Sequence, residues 1–97
     1  MFIHAVLFEV KPKELAFYRK DSLMWARCAK KAGGFLGYST LQRLGHRHQY
    51  VSAYEWREKA GHDRFMKKYH DWLMGRSKAK VKVLGYYNLQ GIDRLKK

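Results

Sequence analysis

The chain begins with a nearly continuous run of apolar residues at positions 2–10, FIHAVLFEV, which ends at Lys11 and Pro12. β-Branched and aromatic side chains followed by a proline are typical of a β-strand. The even-numbered and the odd-numbered positions of this run are both largely apolar. Both faces of the first strand should therefore be covered in the folded protein.

Residues 13–32 have the period of an α-helix. Pro12 suits its first turn, and Gly33 and Gly34 end the pattern. At about 100° per residue, one stripe of this helix collects Leu15, Tyr18, Ser22, Trp25 and Ala29. Basic residues take the opposite side, but Asp21 points toward the apolar arc.

The remaining chain contains three further strands and a second helix. Residues 35–44 and 48–56 are two strands separated by a turn at positions 45–47, which predicts an antiparallel hairpin. Residues 57–74 form the second helix, which Gly75 should end. Its apolar side consists of Phe65, Met66, Tyr69, Trp72 and Leu73. A basic loop leads to the fourth strand at residues 80–89.

The order β-α-β-β-α-β predicts one α+β domain over residues 1–97, with a ferredoxin-like, four-stranded antiparallel sheet. Right-handed crossovers place both helices on the same face of that sheet. The first strand is apolar on its other face as well, so a second copy of the sheet should cover that face. We therefore expect a homodimer formed by sheet-to-sheet packing, a dimeric α/β barrel.

Composition narrows the class of protein. No apolar run reaches the roughly 18 residues of a membrane helix, and the first ten residues lack the features of a secretory signal. The single cysteine, Cys28, excludes an internal disulfide and fits a cytoplasmic location. No Cys pair is available for zinc, and we expect no metal or other cofactor and no membrane partner.

The charge is strongly basic. Lys and Arg total 21 and Asp and Glu total 8, which gives a formal net charge of +13. Such a charge suits solvated helix faces, or a groove that binds a nucleic-acid backbone. The RNA-recognition fold shares this element order, but its third strand carries K/R-G-F/Y-G/A-F-V-x-F/Y. Here that strand reads HQYVSAYEW, so nucleic acid is the alternative partner rather than the leading one.

Three segments resemble one protein family: GFLGY at residues 34–38, AYEWRE at 53–58 and HDRFMKKYHDWL at 62–73. Together they resemble the antibiotic biosynthesis monooxygenase superfamily of dimeric α/β barrels, nearest to a small bacterial branch whose second helix reads FM-x-x-x-HD. The resemblance implies a pocket between the sheet and the helices. It also implies an oxygenase that works on aromatic molecules without a cofactor, or a non-catalytic dimer that binds such a ligand.

Other members of that superfamily degrade haem with an Asn on the first strand and a Trp and a His on the second helix. By element order, Val6 stands at the Asn position and Phe65 near the Trp position, while His70 lies on the corresponding helix. Two of the three residues are thus replaced, and haem degradation is not the expected activity.

Two histidines and one carboxylate could carry chemistry. His62 and His70 are eight residues apart on the second helix, too far for the i,i+4 spacing of a two-His metal site. His70 is the better candidate for a catalytic base, and His62 for a ligand contact, although both could be structural. Asp21 is the second candidate base, because a half-buried carboxylate can accept a proton. It could equally pair with a Lys or Arg, with His4 or with a tyrosine.

Aromatic residues are dense on the strands, and a planar ligand could stack against them. The candidate ligand contacts are Tyr38, Tyr54 and Trp56, with His4 on the first strand. The alternative is that these rings fill the core and the dimer interface. Trp25 and Trp72 should brace the helices.

Overall fold

The computed structural model describes residues 1–96. It contains four strands, β1 (Phe2–Glu9), β2 (Phe35–Gln42), β3 (Gln49–Trp56) and β4 (Lys82–Gln90). The helices are α1 (Leu15–Ala29) and α2 (Lys59–Arg76), and a 3₁₀ turn at Pro12–Glu14 precedes α1. The predicted β-α-β-β-α-β order is confirmed.

The four strands form one antiparallel sheet in the order β2-β3-β1-β4. In the register, Val6 of β1 lies between Ser52 of β3 and Tyr86 of β4, while Leu7 lies between Val51 and Gly85. β1 and β3 are therefore the central strands and β2 and β4 the edges. The predicted ferredoxin-like fold is confirmed.

The sheet has a covered face and an open face. The even-numbered residues of β1 and β3 point toward the two helices, and the odd-numbered residues point away from them. The main core lies on the covered face, where Trp56, Leu73 and Ala29 are fully buried together with Phe2, Cys28 and Phe65. No element within residues 1–96 covers the open face.

Two predicted helix boundaries were wrong. The first helix begins as a 3₁₀ turn at Pro12–Glu14, a common form of helix N-terminus, and its α-helical part ends at Ala29 rather than at residue 32. The second helix continues through Gly75 to Arg76. Glycine lowers helix stability by only about 1 kcal/mol, and Ser77 satisfies the helix end by donating from its hydroxyl to the Leu73 carbonyl at 2.9 Å.

Trp72 does not brace the helices as predicted. Its side chain is 51% exposed, and the Arg76 guanidinium lies 4.1 Å from its ring centroid. Phe65, two turns earlier, and Leu73, the next residue, are the ones that reach the core. The helical stripe on α2 is thus narrower than the apolar residues of the sequence suggest.

Close packing between α2 and the loop before β2 explains why residue 61 is a glycine. Gly61 is buried, and a Cβ atom placed there would lie 3.0 Å from the Gly33 carbonyl oxygen and 3.5 Å from the Trp56 ring. This contact lets α2 approach the end of β3. The approach brings His62, the next residue, over the sheet.

No helix within residues 1–96 is both long enough and apolar enough to span a lipid bilayer.

Candidate functional site

A cavity of about 330 Å³ lies between the covered face and the two helices. This volume falls within the usual range for small-molecule sites, which runs from about 300 to 1,000 Å³. Aromatic and apolar side chains form most of the wall, among them Phe8, Tyr18, Trp25, Tyr54, Trp56, Phe65, Met66 and Tyr86. The polar groups in the wall are few, as is usual for small-molecule sites.

Six of the seven residues singled out from the sequence line this cavity: His4, Asp21, Tyr54, Trp56, His62 and His70. They come from β1, α1, β3 and α2, so the fold brings together residues that lie far apart in the chain. Tyr38 does not line the cavity. It lies on the edge strand β2, its ring centroid is 4.7 Å from that of Tyr54, and it backs the cavity wall.

At one end of the cavity, four rings pack closely. The His62 ring centroid is 4.6 Å from that of His4, 5.3 Å from Phe2 and 6.1 Å from Trp56. His62 Nδ1 lies 3.1 Å from Asp63 Oδ1, and an ionised carboxylate can only accept, so Nδ1 carries the hydrogen and donates it. In this tautomer Nε2 is a bare acceptor.

Two polar atoms at this end have no partner. Among residues 1–96, Trp56 Nε1 and His62 Nε2 are the buried side-chain nitrogen or oxygen atoms without a hydrogen bond. A buried polar group without a partner costs about 1–3 kcal/mol, so such atoms are uncommon in folded proteins. One is a donor and the other an acceptor.

Burial sets the charge of His62. Desolvation lowers the pKa of this imidazole, and the nearby His4 and Lys59 lower it further, whereas Asp63 opposes them. The neutral ring is therefore favoured.

The opposite end of the cavity is formed by the segment that follows α2. Asp21 Oδ2 accepts hydrogen bonds from the main-chain N–H groups of Lys78 at 2.9 Å and Ala79 at 2.7 Å. Glu14 Oε1 accepts another from the N–H of Lys80 at 2.8 Å. The recorded partners of Asp21 are thus main-chain groups and not the Lys, Arg, His4 or tyrosine suggested by the sequence. Asp21 fixes one wall of the cavity.

Trp25 closes the same end. Its Nε1 donates to the Ser77 hydroxyl at 2.9 Å, which links α1 to the end of α2. His70 lies edge-on to Trp25, with ring centroids 5.9 Å apart. The His70 side chain is 44% exposed, and its Nδ1 donates to Asp71 at 3.1 Å. His70 thus occupies a partly solvated position in the wall, in contrast to buried His62.

A small hydroxyl network supports the floor of the cavity. The Tyr18 and Ser52 hydroxyls are 2.6 Å apart, and the Tyr38 hydroxyl donates to Ser52 at 3.3 Å. Desolvation raises the pKa of Tyr18 to about 12 and that of Tyr54 well above its ordinary value. Both phenols therefore remain neutral. The sequence reasoning missed Ser52, and the one available signal was its position between Tyr50 and Tyr54 on the same strand face.

Cys28 and the other histidines lie away from the cavity wall. Cys28 is buried in the core, and burial raises the pKa of its thiol. His46 is exposed in the β2–β3 turn, while His48 is partly buried with a φ of 61°. Within residues 1–96, no three His, Cys, Asp or Glu side chains are grouped to hold a metal ion.

Solved structures match this fold over its whole length. SnoaB from Streptomyces nogalater, a cofactor-independent oxygenase, is 13% identical with a TM-score of 0.74, over 99% of this chain and 97% of that one. A putative antibiotic biosynthesis monooxygenase from Nitrosomonas europaea is 12% identical with a TM-score of 0.70, over 96% and 100%. The chain has the fold of the antibiotic biosynthesis monooxygenases. The resemblance predicted from the sequence is thus confirmed at the level of fold.

A third structure with this fold contains a bound porphyrin. An MhuD variant, crystallised with two manganese protoporphyrin IX molecules per active site, is 14% identical with a TM-score of 0.75, over 100% of both chains. Searches against protein-family models and against curated proteins found no match. Identities this low establish the architecture only, so the chemistry has to be argued from the cavity.

Proposed function

We propose that this protein binds a small aromatic molecule in the sheet–helix cavity and oxidises it with dioxygen, without a metal or flavin. The observation that carries the proposal is the cavity itself, about 330 Å³ in volume and walled largely by aromatic and apolar side chains. Offset and edge-to-face contacts with such rings favour a planar ligand. The likeness in fold to a cofactor-independent oxygenase supports the same reading.

Oxygenation without a cofactor requires a substrate whose anion is stabilised by its own aromatic system, because that anion supplies the electrons that reduce dioxygen. The protein has three tasks: to accept a proton, to orient the ring and to exclude water. In this proposal Tyr54 and Trp56 orient the ring. The buried end, next to His4 and His62, excludes water.

The two bases predicted from the sequence differ in their surroundings. Asp21 already accepts two main-chain hydrogen bonds, so we assign it to holding the Lys78–Ala79 segment in place. His70 has no such structural task, and its ring lies edge-on to Trp25 in the cavity wall. His70 is therefore the stronger of these two candidates for contact with the ligand.

A second copy of the chain would cover the open face. That face carries Ile3, Leu7 and Val51 near its centre, and Leu41, Tyr87 and Leu89 toward its edges are each about half exposed. An apolar surface of this kind is typical of a protein interface. Light scattering at micromolar concentration should give the mass of a dimer, and the mass of a monomer would contradict the proposal.

RNA binding is less well supported, because RNA-recognition sheets stack bases on aromatic side chains of their open face. Here the centre of the open face is aliphatic, and most aromatic side chains of β1 and β3 point into the cavity. The charge of +13 remains available for electrostatic attraction of anionic molecules.

The experiment that tests the function is a ligand screen with two readouts. Naphthalene derivatives should quench the fluorescence of Trp25 and Trp56, which line the cavity. The Trp72→Phe variant is the matched background, because it removes an exposed indole outside the cavity wall. Ligands that bind are then tested for dioxygen uptake with a Clark electrode. Binding without uptake would favour the non-catalytic ligand-binding dimer, and absence of binding would contradict both.

Substitution of His70 and Asp21, the two candidate bases predicted from the sequence, tests the proposal at the level of single residues. We expect His70→Ala to lower dioxygen uptake with little change in stability. Asp21→Asn should instead loosen the residue 78–79 segment and weaken ligand binding. Unchanged turnover in both variants would exclude catalytic roles for both residues.

A further inference from the structure

The unpartnered nitrogen of His62 needs an explanation that packing does not supply. His62 Nδ1 is held by Asp63, whose other oxygen binds Lys59 at 2.8 Å, so the tautomer of the ring is fixed. The bare Nε2 is buried, and the Trp56 N–H, on a ring whose centroid lies 6.1 Å away, is also buried and unpartnered. Neither nitrogen has a hydrogen-bond partner among residues 1–96.

We propose that His62, through Nε2, is the residue that accepts the proton of a hydroxyl group on the bound aromatic ligand, and that Trp56 Nε1 donates a hydrogen bond to the same oxygen. This inference rests on the proposed function of the cavity and assigns its proton acceptor. A hydroxyl group is the simplest group that satisfies both atoms, because it donates to Nε2 and accepts from Nε1.

One oxygen has to lie within hydrogen-bond reach of both residues. The His62 and Trp56 rings are 6.1 Å apart between centroids and nearly perpendicular. Two hydrogen bonds of about 2.9 Å through one oxygen span up to about 6 Å. The His4 ring, 4.6 Å from His62, is the closest of the rings packed against it and is tethered to exposed Asn88 by one hydrogen bond of 2.8 Å. Displacement of His4 would therefore give the ligand access to Nε2.

The proton transfer balances without a further reactant. The O–H bond of the ligand breaks, an N–H bond forms at Nε2, and both electrons of the O–H bond remain on the ligand oxygen. The resulting oxyanion is stabilised by the Trp56 N–H and by the imidazolium ring in a site shielded from water. Burial keeps His62 neutral beforehand, and the ionised groups nearest to it are Asp63 and Lys59 on its own helix, with the titratable His4 facing it from β1.

Asp63 is a positioning residue in this arrangement. It does not line the cavity, and its carboxylate orients the His62 ring and stabilises the charged form. Asp63→Asn should retain ligand binding and shift the pH midpoint of proton transfer, which a purely structural role would not do.

The test uses 2-naphthol as the probe, at a pH below the pKa of the free phenol, and measures the absorption band of naphtholate. Because imidazole is a weaker base than naphtholate, we expect the band to appear in the wild-type complex at a pH lower than in free naphthol by about one pH unit or more, a tenfold change, and His62→Phe to return this midpoint to that of free naphthol. 2-Methoxynaphthalene, which has no proton to give, measures whether His62→Phe still folds and binds. His46→Phe is the matched control, because His46 is an exposed histidine in the β2–β3 turn.

The outcomes separate this inference from the proposed function. If naphthol binds and the band persists in His62→Phe, or disappears in His70→Phe instead, His62 is not the acceptor although the cavity still binds aromatic molecules. If neither naphthol nor methoxynaphthalene binds to the wild type, the proposed function fails as well.

A second measurement covers the case in which His62→Phe does not fold. Nitrogen-15 NMR of the wild-type protein should then show His62 Nε2 changing from the unprotonated to the protonated shift on addition of naphthol. An unchanged Nε2 shift at saturating naphthol would overturn the proposal.

Discussion

The two faces of the central strands differ in chemistry although they share one backbone. On the covered face, β3 contributes Ser52, Tyr54 and Trp56, with large rings and a hydroxyl network. On the open face, β3 contributes the small aliphatic residues Val51 and Ala53 near its middle and the charged Glu55 toward its end, and it carries no aromatic ring there. Large rings of irregular shape leave a space between sheet and helices, whereas small aliphatic side chains make a flat surface that another flat surface can cover.

The difference shows that the alternation of a strand can encode two functions at once. A shift of one residue in the pairing of β1 would exchange the two sets and place rings on the flat face. The register of β1 against both neighbours therefore fixes the cavity and the proposed interface together. Four variants test whether the faces are as different as they look, and they are ordered by expected effect.

Trp56→Ala should have the largest effect on stability. Trp56 is fully buried on the covered face, and removal of a large buried ring costs about 3–5 kcal/mol. The matched variant on the open face, Val51→Ala, loses a smaller and partly exposed side chain and should cost about 1 kcal/mol. Urea denaturation measures both. Equal losses would mean that the two faces contribute alike to the core.

Tyr87→Lys should dissociate the proposed dimer. Tyr87 is 49% exposed on the open face, so a lysine costs the single chain little, but in the interface it would bury a charge at a cost of several kcal/mol. Sedimentation velocity should then show a weakening of about 100-fold or more, equivalent to about 2.7 kcal/mol.

Its control is the neighbouring residue on the same strand. Tyr86 is 67% exposed and points to the covered side, so Tyr86→Lys makes the same charge change on the other face. We expect this variant to remain a dimer. Dissociation of both variants would indicate that added charge, and not the open face, controls assembly.

Gly61→Ala should lower the free energy of unfolding by about 1–3 kcal/mol, the usual cost of an overpacked contact. The new methyl group would lie 3.0 Å from the main-chain carbonyl oxygen of Gly33 and would push α2 away from the loop before β2. Gly75→Ala is the control, since a Cβ there meets nothing within 4 Å and alanine favours a helix. Thermal unfolding should show opposite signs for the two variants.

The smallest effect should appear in the pH dependence of stability. Because burial lowers the folded-state pKa of His62, the unfolded chain binds this proton more readily below about pH 6.5. The contribution of neutral His62 is thus fully present above the unfolded pKa and is lost as the pH falls through the lower folded pKa. Denaturation of the wild type and of His62→Gln between pH 5 and about pH 8 should show a steeper fall for the wild type. Parallel curves would mean that His62 is not desolvated.

The sequence predicts features that depend on local periodicity. The alternation in β3 was enough to group Tyr54 with Trp56 on one face, and the helical period placed His62 and His70 on a common side. These four positions require no knowledge of long-range contacts beyond the crossover rule. That this strand face, with His4 of β1, lies toward the helices came from the structure.

Contacts between distant segments were not predictable in the same way. The partners of Asp21 lie 57 and 58 residues further along the chain and are main-chain groups, which carry no signature in the amino-acid types. The exposure of Trp72 likewise depends on the angle at which α2 crosses the sheet, because Phe65 and Leu73 fill the available contact. That His62 Nε2 is buried without a hydrogen-bond partner could likewise not be predicted, because its burial depends on rings from other elements packing around it.

The wall built by residues 77–81 has a consequence for how the site can diversify. Asp21 and Glu14 hold this segment by accepting hydrogen bonds from its main-chain N–H groups. These hydrogen bonds do not depend on which side chains the segment carries. Ala79 and Val81 line the cavity. They can therefore be replaced by residues with larger or smaller side chains while the main chain of residues 77–81 keeps its position. Related chains could acquire new ligand preferences here at low cost to folding, and an engineer seeking to reshape the site would begin with the same two positions.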